Sequence, residues 1–325
     1  MKEKKKFNRF PYNEVSCYGY CLWNISLYHG RDPLTDLLSP WGTRFESDLI
    51  SRDWWLIDYF EKYTNTCLFK GKWKKVEGYE NAIKEIDKIL SSNRIVMFQT
   101  EWSMLAFHPH YKTRAFNTHA ALITSKDNNE ILIKDRMLIK IFGKDTVNVK
   151  SEQLKEAFDD KFYFFEYFFD TKDVKDMFKE WLLETKSEME KGSLGNTLFL
   201  PHLYYVEGKN FIKYFSQAIC KYPKTYRRDR HFVDLLKVRL VDCLNHHIIS
   251  NRKICLEFLK SYNYLNSSLP TLIEILEEEI NLYNSLKEHL IQYDFSEIEN
   301  VLENINTEED KYYQGILQLI QNNSL

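Results

Sequence analysis

The sequence predicts an α+β protein, with an N-terminal domain over residues 1–170 built on an antiparallel sheet and a helical domain over residues 171–325. Three observations carry this. Apolar residues recur at helical spacing close to the start. Between residues 93 and 150 they gather instead into short β-branched and aromatic runs. From residue 171 onward helical spacing returns in most segments.

Taken in order, SCYGYCLWNISLYHG carries Cys17, Cys21, Ile25 and Tyr28 at helical spacing, with Gly30 as a natural C-terminal stop. The apolar spacing of WWLIDYFEKY reads as a second helix and GYENAIKEIDKILSS as a third. NRIVMFQT, HAALIT and NEILIKD read as strands, the last two joined by the polar SKDNN as a hairpin. LIKIFG and VNVK extend the sheet, and SEQLKEAFDD has the Ser start of a helix. FYFFEYFFD fits a buried strand or an aromatic helix edge equally. DVKDMFKEWLLETKSEMEK is amphipathic, with Val174, Met177, Phe178, Trp181 and Leu182 on one face, and Gly192 to Gly195 reads as a loop. From Phe211 nearly every segment reads as helix, ending in an antiparallel pair with Leu272, Leu276, Tyr283, Leu286 and Leu290 inward.

Composition narrows the function. A chain of 325 residues, 44% hydrophobic and with net charge −2, builds real cores but lacks the cationic surplus expected of a nucleic-acid binder. The basic start is followed by no long apolar run, which argues against a signal peptide or a membrane span. Six cysteines are too sparse for a disulfide framework, so a cytoplasmic protein with free thiols is expected.

Thiolate chemistry is favoured at a helix N-terminus, where free N–H groups and partial positive charge gather. Cys17 stands at such a predicted end. His119 opens a strand after the irregular AFHPHYKTRAFNT, as a base lining a site does, and Asp135 closes the partner strand of the same hairpin. Adjacent antiparallel strands place Asp135 beside His119, where it orients the imidazole. Singly, each has a bland reading, since a lone cysteine on an apolar helix face is more often core. Jointly, a helix-starting Cys, further helices, then a sheet carrying His and Asp follow the chain order of a papain-like fold.

The segment SCYGYCLWNISLYHG resembles the nucleophile helix of C39-type cysteine peptidases, with Cys17 as nucleophile and Cys21 only packing. RIVMFQTEWSMLAFHPHYKTRAFNTHAALITSKDNNEILIKD resembles the core of the family named after the N-terminal domain of butirosin biosynthesis protein H, and the likeness spans about residues 13–165. The resemblance implies an acyltransferase of thiotemplated biosynthesis. Such an enzyme moves an acyl chain from the phosphopantetheine thioester of an acyl or peptidyl carrier protein to a small amine, without metal or other cofactor. Its catalytic residues would be Cys17, His119 and Asp135. The oxyanion glutamine of C39 peptidases is replaced by Pro11, so Asn13 or the Cys17 N–H would donate instead, and the family's Leu-Pro-Tyr element is Leu105-Ala106-Phe107. Trp102, Phe107 and Phe116 would line an apolar channel that keeps water from the acyl-enzyme. Arg227, Arg228 and Arg230, in the densest basic cluster, would meet the acidic carrier, and a solvated loop paired to the acidic C-terminal helices accounts for the cluster equally well. Three alternatives stand beside this reading. His108 and His110 with Glu101 form a weak metal set, a peptidase or amidase would use the same triad on water, and a binding module would use none of it.

Overall fold

The computed structural model describes residues 17–38, 45–48, 53–56, 69–108, 111–112, 118–159, 162–190, 194–196, 203–206, 241, 244–292, 294 and 296–322. They form two compact units. The first takes the described residues up to Leu37 and those from Phe69 to Asp170; the second takes Leu38, two short strands at Phe45–Asp48 and Asp53–Leu56, and Thr171 onward.

The first unit is α+β. Helix α1 (Cys17–Tyr28) opens it, with every residue from Tyr18 to Ser26 buried. A helix apolar on all sides lies inside its unit, and α1 packs against the sheet at β5 (Thr118–Asp127). A single turn, α2 (Pro33–Asp36), follows, capped by the Asp32 carboxylate. The sheet has six strands in the order β3-β8-β4-β5-β6-β7, every pair antiparallel. They are β3 (Phe69–Val76), β4 (Val96–Glu101), β5, β6 (Glu130–Lys134), β7 (Thr146–Lys150) and β8 (Phe162–Phe169). Alternation sends Val96, Phe98, Ala121, Ile123, Ile131, Ile133, Phe162 and Phe164 into one core with Ala82 and Ile86 of α3 (Tyr79–Ser91). Each buried Val, Ile or Phe side chain among them stabilises the fold by roughly 2 kcal/mol.

FYFFEYFFD is a strand, because β8 pairs on both flanks, with β3 and β4. β3 was not among the predicted strands. LIKIFG is not sheet but the greater part of helix α4 (Arg136–Phe142): Asp135 caps its start and Gly143, with φ +67°, closes it in the left-handed region. VNVK is β7, and SEQLKEAFDD forms a 3₁₀ turn leading into α5 (Lys155–Phe158).

The second unit is mostly helical. Within it Phe45–Asp48 (β1) and Asp53–Leu56 (β2) pair antiparallel and join Leu194–Asn196 (β9) and Leu203–Val206 (β10) in a sheet of order β2-β1-β10-β9. WWLIDYFEKY therefore begins as a strand and not a helix, and Leu194–Asn196 is a strand and not a loop. A contiguous apolar run fits either state, and Trp55 opposite Glu46 shows that pairing decided it. The helices are α6 (Val174–Glu190), α7 (Ser250–Ser261), which continues a π-helical turn at Leu244–Ile249, α8 (Leu269–Gln292) and α9 (Ile298–Asn322). Gly315 lies against Leu272 and Glu309 against Tyr283, so α8 and α9 run antiparallel, and Leu272, Leu276, Tyr283, Leu286 and Leu290 are buried. Among the described residues no helix is long and apolar enough to cross a membrane. The segment from Phe211 to residue 240 lies outside the described residues.

Candidate active site

Three elements of the first unit meet at the site. α1 begins at Cys17, which is half-buried, and the N–H groups of a first helical turn have no intrahelical acceptor. Together with the positive end of the helix they make a place where a developing oxyanion is stabilised. One turn on, Cys21 is fully buried; burial first, and then the charges of Cys17 and Asp135, push its thiol well up, so it packs and does not ionise.

His119 is the second residue of β5, opposite Thr100 of β4. β6 pairs with β5 as far as Leu122 opposite Lys134, and Asp135 is the next residue. Its carboxylate has two tasks. Oδ1 accepts the Met137 N–H at 2.8 Å and caps α4, while Oδ2 accepts the His119 Nε2–H at 2.7 Å. Both side chains are 0% exposed. Burial alone would lower the His119 pKa, but the charge and hydrogen bond of Asp135, followed by the hydrogen bond and charge of Cys17, outweigh it and raise the value to about 9. At neutral pH the ring is an imidazolium. With Nε2 committed to Asp135, Nδ1 is the nitrogen left for Cys17. A thiol, an imidazole and a carboxylate thus act on one another here, the carboxylate orienting the imidazole, and such a set can support covalent catalysis.

The remaining predicted residues are placed as follows. Phe107 is half-buried against the core of the sheet, next to the fully buried Leu105. The backbone of Trp102 opens a 3₁₀ turn, Trp102–Met104. Asn13, Phe116, Arg227, Arg228 and Arg230 lie outside the described residues, as does His110. His108 is buried, its ring centre 5.7 Å from that of His119, and its N–H donates to the Leu105 carbonyl at 2.8 Å. No group of three metal-ligating side chains occurs among the described residues. Tyr20 and Asp145, not singled out in the sequence, touch the same structure: the Tyr20 hydroxyl donates to Asp145 Oδ2 at 2.7 Å, and the Asp135 N–H donates to the Asp145 carbonyl at 2.8 Å. A tyrosine in an apolar helix and an aspartate in GKDT carry no sequence signal of such a role.

The chain matches no protein-family model, and no curated protein matches it.

Proposed function

We propose that this chain has a papain-like catalytic unit and is a cysteine-dependent acyltransferase that forms an amide bond in thiotemplated natural-product biosynthesis. The observation that carries the reading is the buried His119–Asp135 pair at 2.7 Å, with Cys17, whose charge acts on the same imidazole, at the start of α1.

The Cys17 thiolate attacks the thioester carbonyl of an acyl chain borne on a carrier protein, and main-chain N–H groups at the helix start hold the oxyanion. The carbon–sulfur bond to phosphopantetheine breaks, and the His119 imidazolium protonates the departing thiolate. A primary amine then attacks the acyl-enzyme. Neutral His119 takes the amine proton as the carbon–nitrogen bond forms, and Cys17 leaves as thiolate beside the restored imidazolium. Thioester to amide is downhill, so the steps balance without ATP or a redox partner.

Intact-mass analysis after mixing with acylated carrier protein tests the reading. The expected result is one acyl adduct on the wild type, none on Cys17→Ala, and discharge of the adduct by added amine. Absence of an adduct with every acyl thioester tried, together with peptide cleavage, would replace it with a peptidase.

A further inference from the structure

Resting on the Cys17–His119 reading, we propose that Tyr20 and Asp145 are positioning residues, forming a clamp that holds the nucleophile helix in register with the carboxylate that orients His119. Tyr20 lies three residues after Cys17 on α1 and is buried. Asp145 lies at the mouth of the loop that carries α4, where the last β6–β7 pair is Lys134 opposite Thr146. The next step outward is Asp135 with Asp145, joined by the 2.8 Å bond from the Asp135 N–H to the Asp145 carbonyl. Two hydrogen bonds therefore connect the helix of Cys17 to the backbone of Asp135 by a route that bypasses His119.

Geometry gives this route a purpose. α1 is buried on all sides, and apolar burial is non-directional: it holds a helix against a sheet but resists sliding along the helix axis only weakly. A bond from a tyrosine hydroxyl to a carboxylate is short and directional, and it resists that sliding. The carboxylate is well kept for the task, for although burial raises the Asp145 pKa, the Tyr20 and Lys134 hydrogen bonds outweigh it and hold the group below the usual carboxylate range. Lys134 Nζ stands 3.1 Å from the same Oδ2. A displacement of about 1 Å between nucleophile and base is enough to cost about a hundredfold in rate.

The test measures iodoacetamide alkylation of Cys17 in the full chain by peptide mapping from pH 5 to pH 10, well below the melting temperature of each variant. Tyr20→Phe keeps the buried ring and removes the hydroxyl, Asp145→Ala removes the acceptor, and Asp145→Asn restores a neutral one. Tyr20→Phe and Asp145→Ala should slow alkylation below pH 7 about tenfold and displace its pH profile, and Asp145→Asn should recover most of the rate lost in Asp145→Ala. A merely structural contact would lower the melting temperature and leave the profile of the folded fraction unmoved; that result in either variant overturns the clamp. His119→Ala separates the two ideas. If it leaves the wild-type profile unchanged, the Cys17–His119 reading fails and the clamp with it; if it abolishes the fast limb while Tyr20→Phe does not, the clamp alone fails.

Discussion

At His119 two effects of opposite sign meet, and the sign of the sum sets the chemistry. Burial disfavours the imidazolium, whereas the Asp135 carboxylate 2.7 Å away favours it more strongly, and the ring stays protonated up to about pH 9. Acylation needs that proton for the departing thiol, so in our reading the rate should fall as pH rises through about 9. Asp135→Asn removes the first of the raising causes and keeps an oxygen for the Met137 N–H. The basic limb should then move to lower pH, with a rate loss of roughly 10²-fold or more at its optimum. A pH–rate profile with an unmoved basic limb in Asp135→Asn would deny Asp135 its role.

Among elements, α4 shows how a site is built from local chemistry. One aspartate ends β6, caps the helix that follows, and turns its second oxygen to His119, while Gly143 stops the helix in time for the chain to return as β7. A different glycine is required at the sheet edge. A Cβ on Gly71 of β3 would fall 2.1 Å from Cζ of Phe165, whose ring packs against Trp73 with centroids 5.3 Å apart. Phe165 is buried in β8. Gly71→Ala should therefore destabilise the first unit by about 1–3 kcal/mol, read as a lower urea midpoint with an unchanged slope. A midpoint equal to that of the wild type would show that β3 can draw away from β8 at no cost.

On the scale of the whole molecule, a buried charged cluster lies in the helical unit, where α7, α8 and α9 bring Arg252, Glu279 and Glu309 together. The Arg252 guanidinium donates to both carboxylates, reaching Glu309 Oε1 at 2.8 Å, and the Tyr283 hydroxyl donates to that same oxygen at 2.9 Å. Burial, with Arg252 opposing and the Glu309 charge adding, pushes Glu279 well above the carboxylate range, which favours its protonated form. Arg252→Met should cost about 3–5 kcal/mol, because it leaves a buried carboxylate uncompensated. Glu279→Gln mimics the protonated acid and should cost less than about 1 kcal/mol. Denaturant midpoints of the two variants at pH 7 check this, and equal losses would mean that both glutamates are ionised in the fold.

What the sequence determined by itself is what local periodicity and end signals encode. The helix opening at Cys17, the strands at β4, β5 and β6, and the inward Leu272–Leu276–Tyr283 face were all legible, because each is written within about ten residues. The order of Cys17, His119 and Asp135 was legible too. Only the tertiary structure decided whether FYFFEYFFD and WWL were strands, for an apolar run takes its state from what pairs with it. LIKIFG became a helix through its two ends and not its interior. Distances across the site, the neighbouring His108 ring and the Tyr20–Asp145 contact, 125 residues apart in the chain, lay beyond any local reading. A hydrogen bond between remote side chains leaves no periodic trace in a sequence; it exists only once the packing of α1 on the sheet has brought its two ends together.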